Sequence, residues 1–302
     1  MGAVQVIRPR EVALGADEGM AVRRTLPRRE RTLVGGWCFL APYGPASIAG
    51  AMQVAPHPHT GLQTASWLFS GEVEHRDSAG HHALITPGEL NLMTAGRGIS
   101  HSEMSSARVS ELHGVQLWIA LPDHARHAAP GFEHVVPAGI DDAGLTGAVF
   151  IGSLIGAASP ATVHSPLVGA ELHLQPERIV DLPVPAGFEH GVLLDAGALR
   201  IDGHALAPGE LAVLGPGRSS IRIEALTPSR LLLLGGEPLG ESIVMWWNFI
   251  GRTHDEIEDY RRQWQAEVTG SADAPVFGMP IGDGAIPLAA PALPAGTLRQ
   301  RS

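Results

Sequence analysis

The 302-residue chain contains no lysine; all 21 of its basic residues are arginine. Schiff-base chemistry and Walker-type phosphate binding both need a lysine amine, so both are excluded. Cysteine occurs once, as Cys38. An intramolecular disulfide is therefore impossible, and cysteine-built zinc fingers and iron–sulfur clusters fall away. A single thiol of this kind, expected as a small buried apolar group, fits a reducing compartment. No stretch approaches the roughly 18 consecutive apolar residues that a membrane span needs. The opening residues, MGAVQVIRPR, carry no apolar run of signal-peptide length. The expectation is a soluble cytoplasmic protein with no membrane partner. Positive charge is also scarce, 21 basic against 31 acidic residues and a net charge of −10. That balance argues against direct binding to nucleic acid and leaves a protein partner possible.

Glycine and proline are abundant, at 37 and 24 residues. They favour many turns and short strands over long helices. Hydrophobic residues make up 44% of the chain, enough for a sizeable core in one large domain or two ordinary ones.

Two pairs of metal-capable side chains stand out. His57-Pro58-His59 opens a stretch that closes with His101-Ser102-Glu103. Residues i and i+2 of a strand point to the same face. Two such strands side by side aim three imidazoles and one carboxylate at one point, which suits a divalent first-row metal. Iron, copper, nickel, manganese, cobalt and zinc all accept such donors. Three neutral imidazoles and one carboxylate leave a net charge of about +1 and two open positions on an octahedral ion. A structural zinc site is more often closed and often contains cysteine. His75 and His113 fall on strands from which either could hydrogen-bond to a ligand. His81 and His82 sit beside a turn and read as solvated.

Around this stretch, Leu33–Leu40, Gln63–Phe69, Glu72–Asp77, His81–Ile85, Leu90–Thr94 and Leu112–Leu121 read as strands separated by Gly/Pro turns. That pattern indicates an antiparallel sandwich or barrel. Residues 122 to 142 read as a connection, and a second strand series follows it. The halves look like a divergent repeat. Trp67–Gly71 matches Leu193–Gly197, and Thr86–Leu90 matches Ala207–Leu211. This alignment sets His57 and His59 opposite Pro183 and Pro185, and His101 opposite Arg222, so one metal per chain is expected, in the first half. Thr253 and Glu256 form a capping box for one helix, whose apolar positions Ile257, Trp264 and Val268 should pack on a sheet. The division is 1–138, 139–270, and an Ala/Pro/Gly-rich, weakly ordered tail at 271–302.

HPHTGLQTASWLFSGEVEHRDSAG, followed by PGELNLMTAGRGISHSEM, closely resembles the pirin family of bicupins. WCFLAPYGP, LHGVQLWIALP and GGEPLGESIVMWWNFIGRTHDEIEDYRRQW extend the resemblance to about residues 20–268. It implies an all-β fold of two cupin sandwiches (double-stranded β-helix, or jelly-roll) face to face with a C-terminal helix. The N-terminal module would hold one Fe(2+), with Mn, Ni, Cu, Co or Zn as alternatives, on His57, His59, His101 and Glu103. The usual cupin motif has a glutamate where this chain has Gln63. Many family members have arginine where this chain has Thr60. The resemblance implies a quercetin 2,3-dioxygenase-type enzyme that opens a flavonol with dioxygen and releases carbon monoxide. Glu103 would act as catalytic base, and Met93, Trp67 or Leu62 would supply apolar walls. The other implied role is an iron-dependent redox-sensing regulator that binds a transcription factor or metabolic enzyme; a third is a cupin acting on another small oxygen-rich molecule.

Overall fold

The computed structural model describes residues 3–14, 20–47, 52–106, 108–142 and 144–302. The strands build two similar modules. In the first, a seven-stranded sheet runs in the order Gly131–Val135, Leu90–Thr94, Leu62–Ser70, Glu111–Ala120, Trp37–Ser47, Met20–Arg24, Arg10–Leu14. It faces a four-stranded sheet of Gln53–His59, Ile99–Ser105, Val73–Asp77 and His82–Ile85. The second module repeats the plan with Leu211–Leu214, Glu189–Ala196, Ser229–Gly236, Leu167–Leu174, Leu145–Ile151 and Ala138–Asp142 in its large sheet. Its small sheet holds Ile179–Pro183, Ser220–Ala225, Leu199–Ile201 and His204–Leu206. Residues 4–7, counted with the first half in the sequence, pair with Leu211–Leu214 and cover that edge of the second module.

The large sheets pack against each other. Trp37, Trp67 and Leu117 of the first share one core with Phe150, Leu193 and Leu232 of the second. Trp67 stacks on Phe150 at 4.7 Å and donates its indole N–H to Glu171 at 2.6 Å. Central strands are therefore buried on both faces, which explains uninterrupted apolar runs such as Leu231–Leu234. The small sheets, with one outer face, alternate instead: Val73, His75 and Asp77 are buried while Glu74 and Arg76 are not. The repeat extends to turn chemistry. Gly71 and Gly197 both have φ of 94°, and a Cβ there would meet a backbone oxygen at 2.5 and 2.3 Å.

The cross-module alignment needs one correction. Ladder register equates His57, His59, His101 and Glu103 with Leu182, Val184, Ile221 and Ile223. The sequence alignment placed Pro183, Pro185 and Arg222 there, one residue later. Connections in the two modules differ in length by one residue, and a one-residue slip turns every side chain to the other face. The four true equivalents are buried core residues of the second module, so its interior is filled with hydrocarbon where the first module carries donors.

The helix, His254–Val268, starts at the expected cap: Thr253 Oγ1 accepts from the Glu256 N–H at 3.2 Å. The Glu256 carboxylate reaches back to Arg252 N at 2.7 Å rather than to the cap residue. Ile257 and Trp264 form its buried face. They pack on the two-stranded hairpin Val244–Trp246/Phe249–Gly251 and on residues 277 and 290, not on a large sheet. Residues 271–302, expected as a loose tail, instead strap this helix to the first module. Glu267 accepts from the N–H groups of Val276, Phe277 and Gly278, and Leu288 N donates to Pro56 O at 2.8 Å.

His190, in the second module, lies fully buried, and among the described residues neither ring nitrogen has a hydrogen-bond partner. Burial, and then nearby Arg218, pushes its pKa down to about 4. The folded value lies below the unfolded one, so protonation favours unfolding. The associated stability is full above about pH 6.5 and is lost as pH falls toward 4. His190→Leu is expected to flatten the decline in urea midpoint between pH 7 and 4.5, by about 2–3 kcal/mol of unfolding free energy. Parallel declines in variant and parent contradict this.

Candidate metal centre

The candidate donors arise from two neighbouring strands of the first module's small sheet. Gln53–His59 is its edge strand, where Pro58 sacrifices no interior ladder donor. Its neighbour Ile99–Ser105 places His101 directly opposite His57. A bulge between His101 and Glu103 then shifts the register, so Glu103 lies opposite Val54. All four side chains are buried and face the module interior.

The imidazoles converge. His59 Nε2 lies 3.1 Å from His101 Nε2. Ring centroids are 4.4 Å apart for His57 and His101, and 4.9 Å for His57 and His59. Each outer nitrogen is fixed. His57 Nδ1 is 2.9 Å from Ala55 O, and His59 Nδ1 is 3.1 Å from Asn248 O. Both carbonyls accept, so these Nδ1 atoms carry the protons and the Nε2 lone pairs are free. Donor atoms form two overlapping groups, His57/His59/His101 and His75/His101/Glu103, each within 4.8 Å. His101 belongs to both.

His75, expected as a possible hydrogen-bond partner, fills that place: its Nδ1 lies 3.4 Å from His101 Nδ1, and its Nε2 lies 3.2 Å from Asp77 Oδ2. Asp77 Oδ1 also accepts from His81 N at 3.0 Å, so His81 braces the array instead of being merely solvated. His113 is elsewhere, bonded to Asp195 between the modules. Ser66 Oγ lies 3.1 Å from Glu103 Oε1 and 3.1 Å from Gln116 Oε1. Cys38 is buried and its thiol is pushed well up by burial.

Burial disfavours charge on every donor. It pushes His57 down to about 4 against the hydrogen bond that His57 donates to the Ala55 carbonyl. His59 is driven well below the usual imidazole range by burial and then by His57, and His101 by burial and then by His57, His59 and His75. Burial raises Glu103, opposed by His75 and Ser66. The result is three neutral imidazoles beside a buried carboxyl group. Nitrogens bound at about 2.0–2.1 Å on adjacent positions of one ion stand about 3 Å apart, as His59 and His101 do. The donor set therefore fits a divalent metal.

The site opens into a cavity of about 270 Å³ lined by Val12, Val22, Phe39, Val54, Trp118 and Leu288 among others. Met93, Trp67 and Leu62, expected as walls, do not line it. Trp67 belongs to the core between modules, and Met93 and Leu62 to the packing of the first module. Residues that the sequence reading missed come from far along the chain. Asn248 holds His59, and Trp247 beside it lines the cavity in the left-handed region at φ 53°. The run Trp246-Trp247-Asn248-Phe249 was the available signal: a two-residue connection between aromatic strand ends.

Two antiparallel modules, the first carrying a buried three-histidine, one-carboxylate set that could hold a metal ion, define a bicupin. Residues 19–119 match the Pirin family model, and residues 169–270 match the Pirin C-terminal cupin domain. The chain belongs to the pirin family. It is 41% identical to a Pseudomonas aeruginosa protein provisionally named as a quercetin 2,3-dioxygenase, over 87% of this chain and 84% of that one. It is 37% identical to a pirin-like protein of Caulobacter vibrioides, covering 81% and 88% respectively. A crystal structure titled quercetin 2,3-dioxygenase from Acinetobacter baumannii superposes with a TM-score of 0.91 at 38% identity, covering 98% of this chain and 97% of that one. Among the described residues no helix is long and apolar enough to cross a membrane.

Proposed function

We propose that this chain is a quercetin 2,3-dioxygenase-type oxidoreductase, with His57, His59, His101 and Glu103 as its metal ligands and iron(II) as the metal. The observation that carries this reading is the buried donor set at the end of a cavity walled by Phe39 and Trp118, whose rings stack at 4.3 Å. The names of the Pseudomonas and Acinetobacter relatives support it. A free, buried Cys38 fits a reducing, cytoplasmic setting.

When bound, the divalent ion supplies positive charge for a chelating oxygen anion and redox access to dioxygen. The protein's part is positioning and proton handling. Phe39 and Trp118 offer a flat apolar wall for a planar ring system. Glu103 takes the proton of the flavonol 3-hydroxyl on its carboxylate. Ser66 holds that carboxylate in place. Asn248 and Ala55 keep His59 and His57 in the tautomer that presents Nε2. The apolar walls exclude water from the opened heterocycle. The balanced reaction converts one flavonol and one dioxygen into one depside ester and one carbon monoxide.

Iron-loaded protein mixed with quercetin in air is expected to bleach the flavonol's visible band and release carbon monoxide, one per ring opened. Absence of turnover with iron, manganese, nickel, copper and cobalt in turn removes this reading and leaves the regulatory one.

A further inference from the structure

A second cavity, of about 540 Å³, adjoins the metal cavity: Arg24, Phe39, Trp118 and Trp247 line both. Its walls carry five arginines, Arg10, Arg24, Arg28, Arg29 and Arg301, against a single acid, Glu30. Glu30 lies 3.6 Å from Arg28. Among the described residues, Arg10, Arg24, Arg29 and Arg301 form no ion pair with an acid. This is a local excess of cations in a chain whose net charge is −10. The excess is built into the fold. Arg10 and Arg24 stand directly opposite each other in the antiparallel ladder, an arrangement that is destabilising when the charges are alike. Arg24 is half-buried, and burial together with Arg10, Arg28 and Arg301 lowers its pKa. Arg301 is held near the cluster because its backbone pairs with Ile243 through two hydrogen bonds of 2.8 Å. The remaining walls are mostly aromatic, Phe39, Trp118, Trp246 and Trp247, with Pro27 and Met245. Guanidinium forks bind carboxylate, sulfate and sulfonate oxygens in paired hydrogen bonds, and aromatic walls bind planar rings.

We propose that this second cavity is the substrate vestibule, and that it selects an aromatic chelator bearing an anionic substituent. The chelating oxygens of such a molecule point toward His57, His59, His101 and Glu103, and its anion rests among Arg10, Arg24 and Arg28. This assignment rests on the proposed dioxygenase reading for the orientation of the ligand, but not for the anion preference.

The test compares quercetin with quercetin 5′-sulfonate, which keeps the 3-hydroxy-4-keto chelating group and adds an anion at the far ring. Binding is read by tryptophan fluorescence under nitrogen, so that no turnover intervenes, with metal-loaded and metal-free full-length chain. The sulfonate is expected to bind at least tenfold more tightly than quercetin in both forms, with the advantage shrinking as salt rises. In the Arg10→Gln, Arg24→Gln, Arg28→Gln variant the advantage is expected to fall below threefold while metal content per chain is unchanged. Circular dichroism checks that the variant is folded, and the salt dependence of the parent chain stands as evidence independent of it. Equal affinity for the two ligands, or measurable binding of neither, overturns the proposal. Displacement of the sulfonate by an equal concentration of inorganic sulfate marks a free-anion site and overturns it too. An anion preference without turnover of either ligand in air removes the dioxygenase reading and leaves the vestibule standing.

Discussion

His101→Ala is expected to strip the chain of metal and leave its fold in place. His101 is the donor that both groups share, with His57 and His59 on one side and His75 and Glu103 on the other. Its Nε2 faces that of His59 at 3.1 Å, and its ring lies opposite His57 across the ladder. Changes one shell beyond a metal ligand already weaken binding about 10–100-fold. Loss of the shared ligand is therefore expected to weaken it by at least the upper end of that range. Stability should move little. In the metal-free chain three imidazoles crowd one another in a buried space, and removing one relieves that crowding as well as opening a small void. The measurements are metal per chain by elemental analysis and thermal unfolding by circular dichroism. Stoichiometric metal in the variant would falsify the ligand assignment. Loss of metal with loss of the native β-spectrum would show that the ring is structural instead.

The parts of the site that were readable in sequence are those carried by local geometry. Histidines at i, i+2 share a strand face whatever the fold, so His57, His59, His101 and Glu103 could be grouped before their strands were known to be neighbours. The turn glycines 71 and 197 likewise marked the repeat, because only that residue sits easily at φ 94°. Faces were harder. The repeat was aligned one residue out, which exchanged the inward Leu182 and Ile221 for the outward Pro183 and Arg222. Layers were harder still: alternation cannot say which side of a doubly buried strand meets the cavity, and Trp67, one of three alternative walls expected from the sequence, lies between the modules. Contacts made by irregular backbone left no pattern. Asn248 reaches His59 through a carbonyl that any residue possesses, and the arginine vestibule gathers residues 10 to 29 with residue 301.

The second large effect concerns the junction of the modules. Both carry the same bulge: register skips Phe69 between Leu68 and Ser70, and skips Asp195 between Leu194 and Ala196. The residues after the skip pair with His113 and Arg230, and these four positions meet across the interface. Asp195 accepts from His113 Nε2 at 2.8 Å and from Arg230 Nε at 2.8 Å, while Arg230 donates to His113 Nδ1 at 3.2 Å and lies 4.2 Å over the Phe69 ring. Asp195→Ala leaves the Arg230 charge without its carboxylate in a place where its side chain is only 23% exposed. Removing one partner of a buried pair costs about 3–5 kcal/mol. For a chain of this size the thermal midpoint should drop by roughly 5–8 °C. Burial alone would raise the Asp195 pKa, but the His113 hydrogen bond and Arg230 outweigh it and hold the group below its ordinary value. A depressed carboxylate adds stability above the unfolded pKa, about 4, and loses it as pH falls through the folded value. The gap between parent and variant should therefore be constant near neutrality and narrow below about pH 4. A midpoint within 2 °C of the parent at pH 7, or a gap that does not change down to pH 3, would show that the triad contributes shape but not charge to the junction.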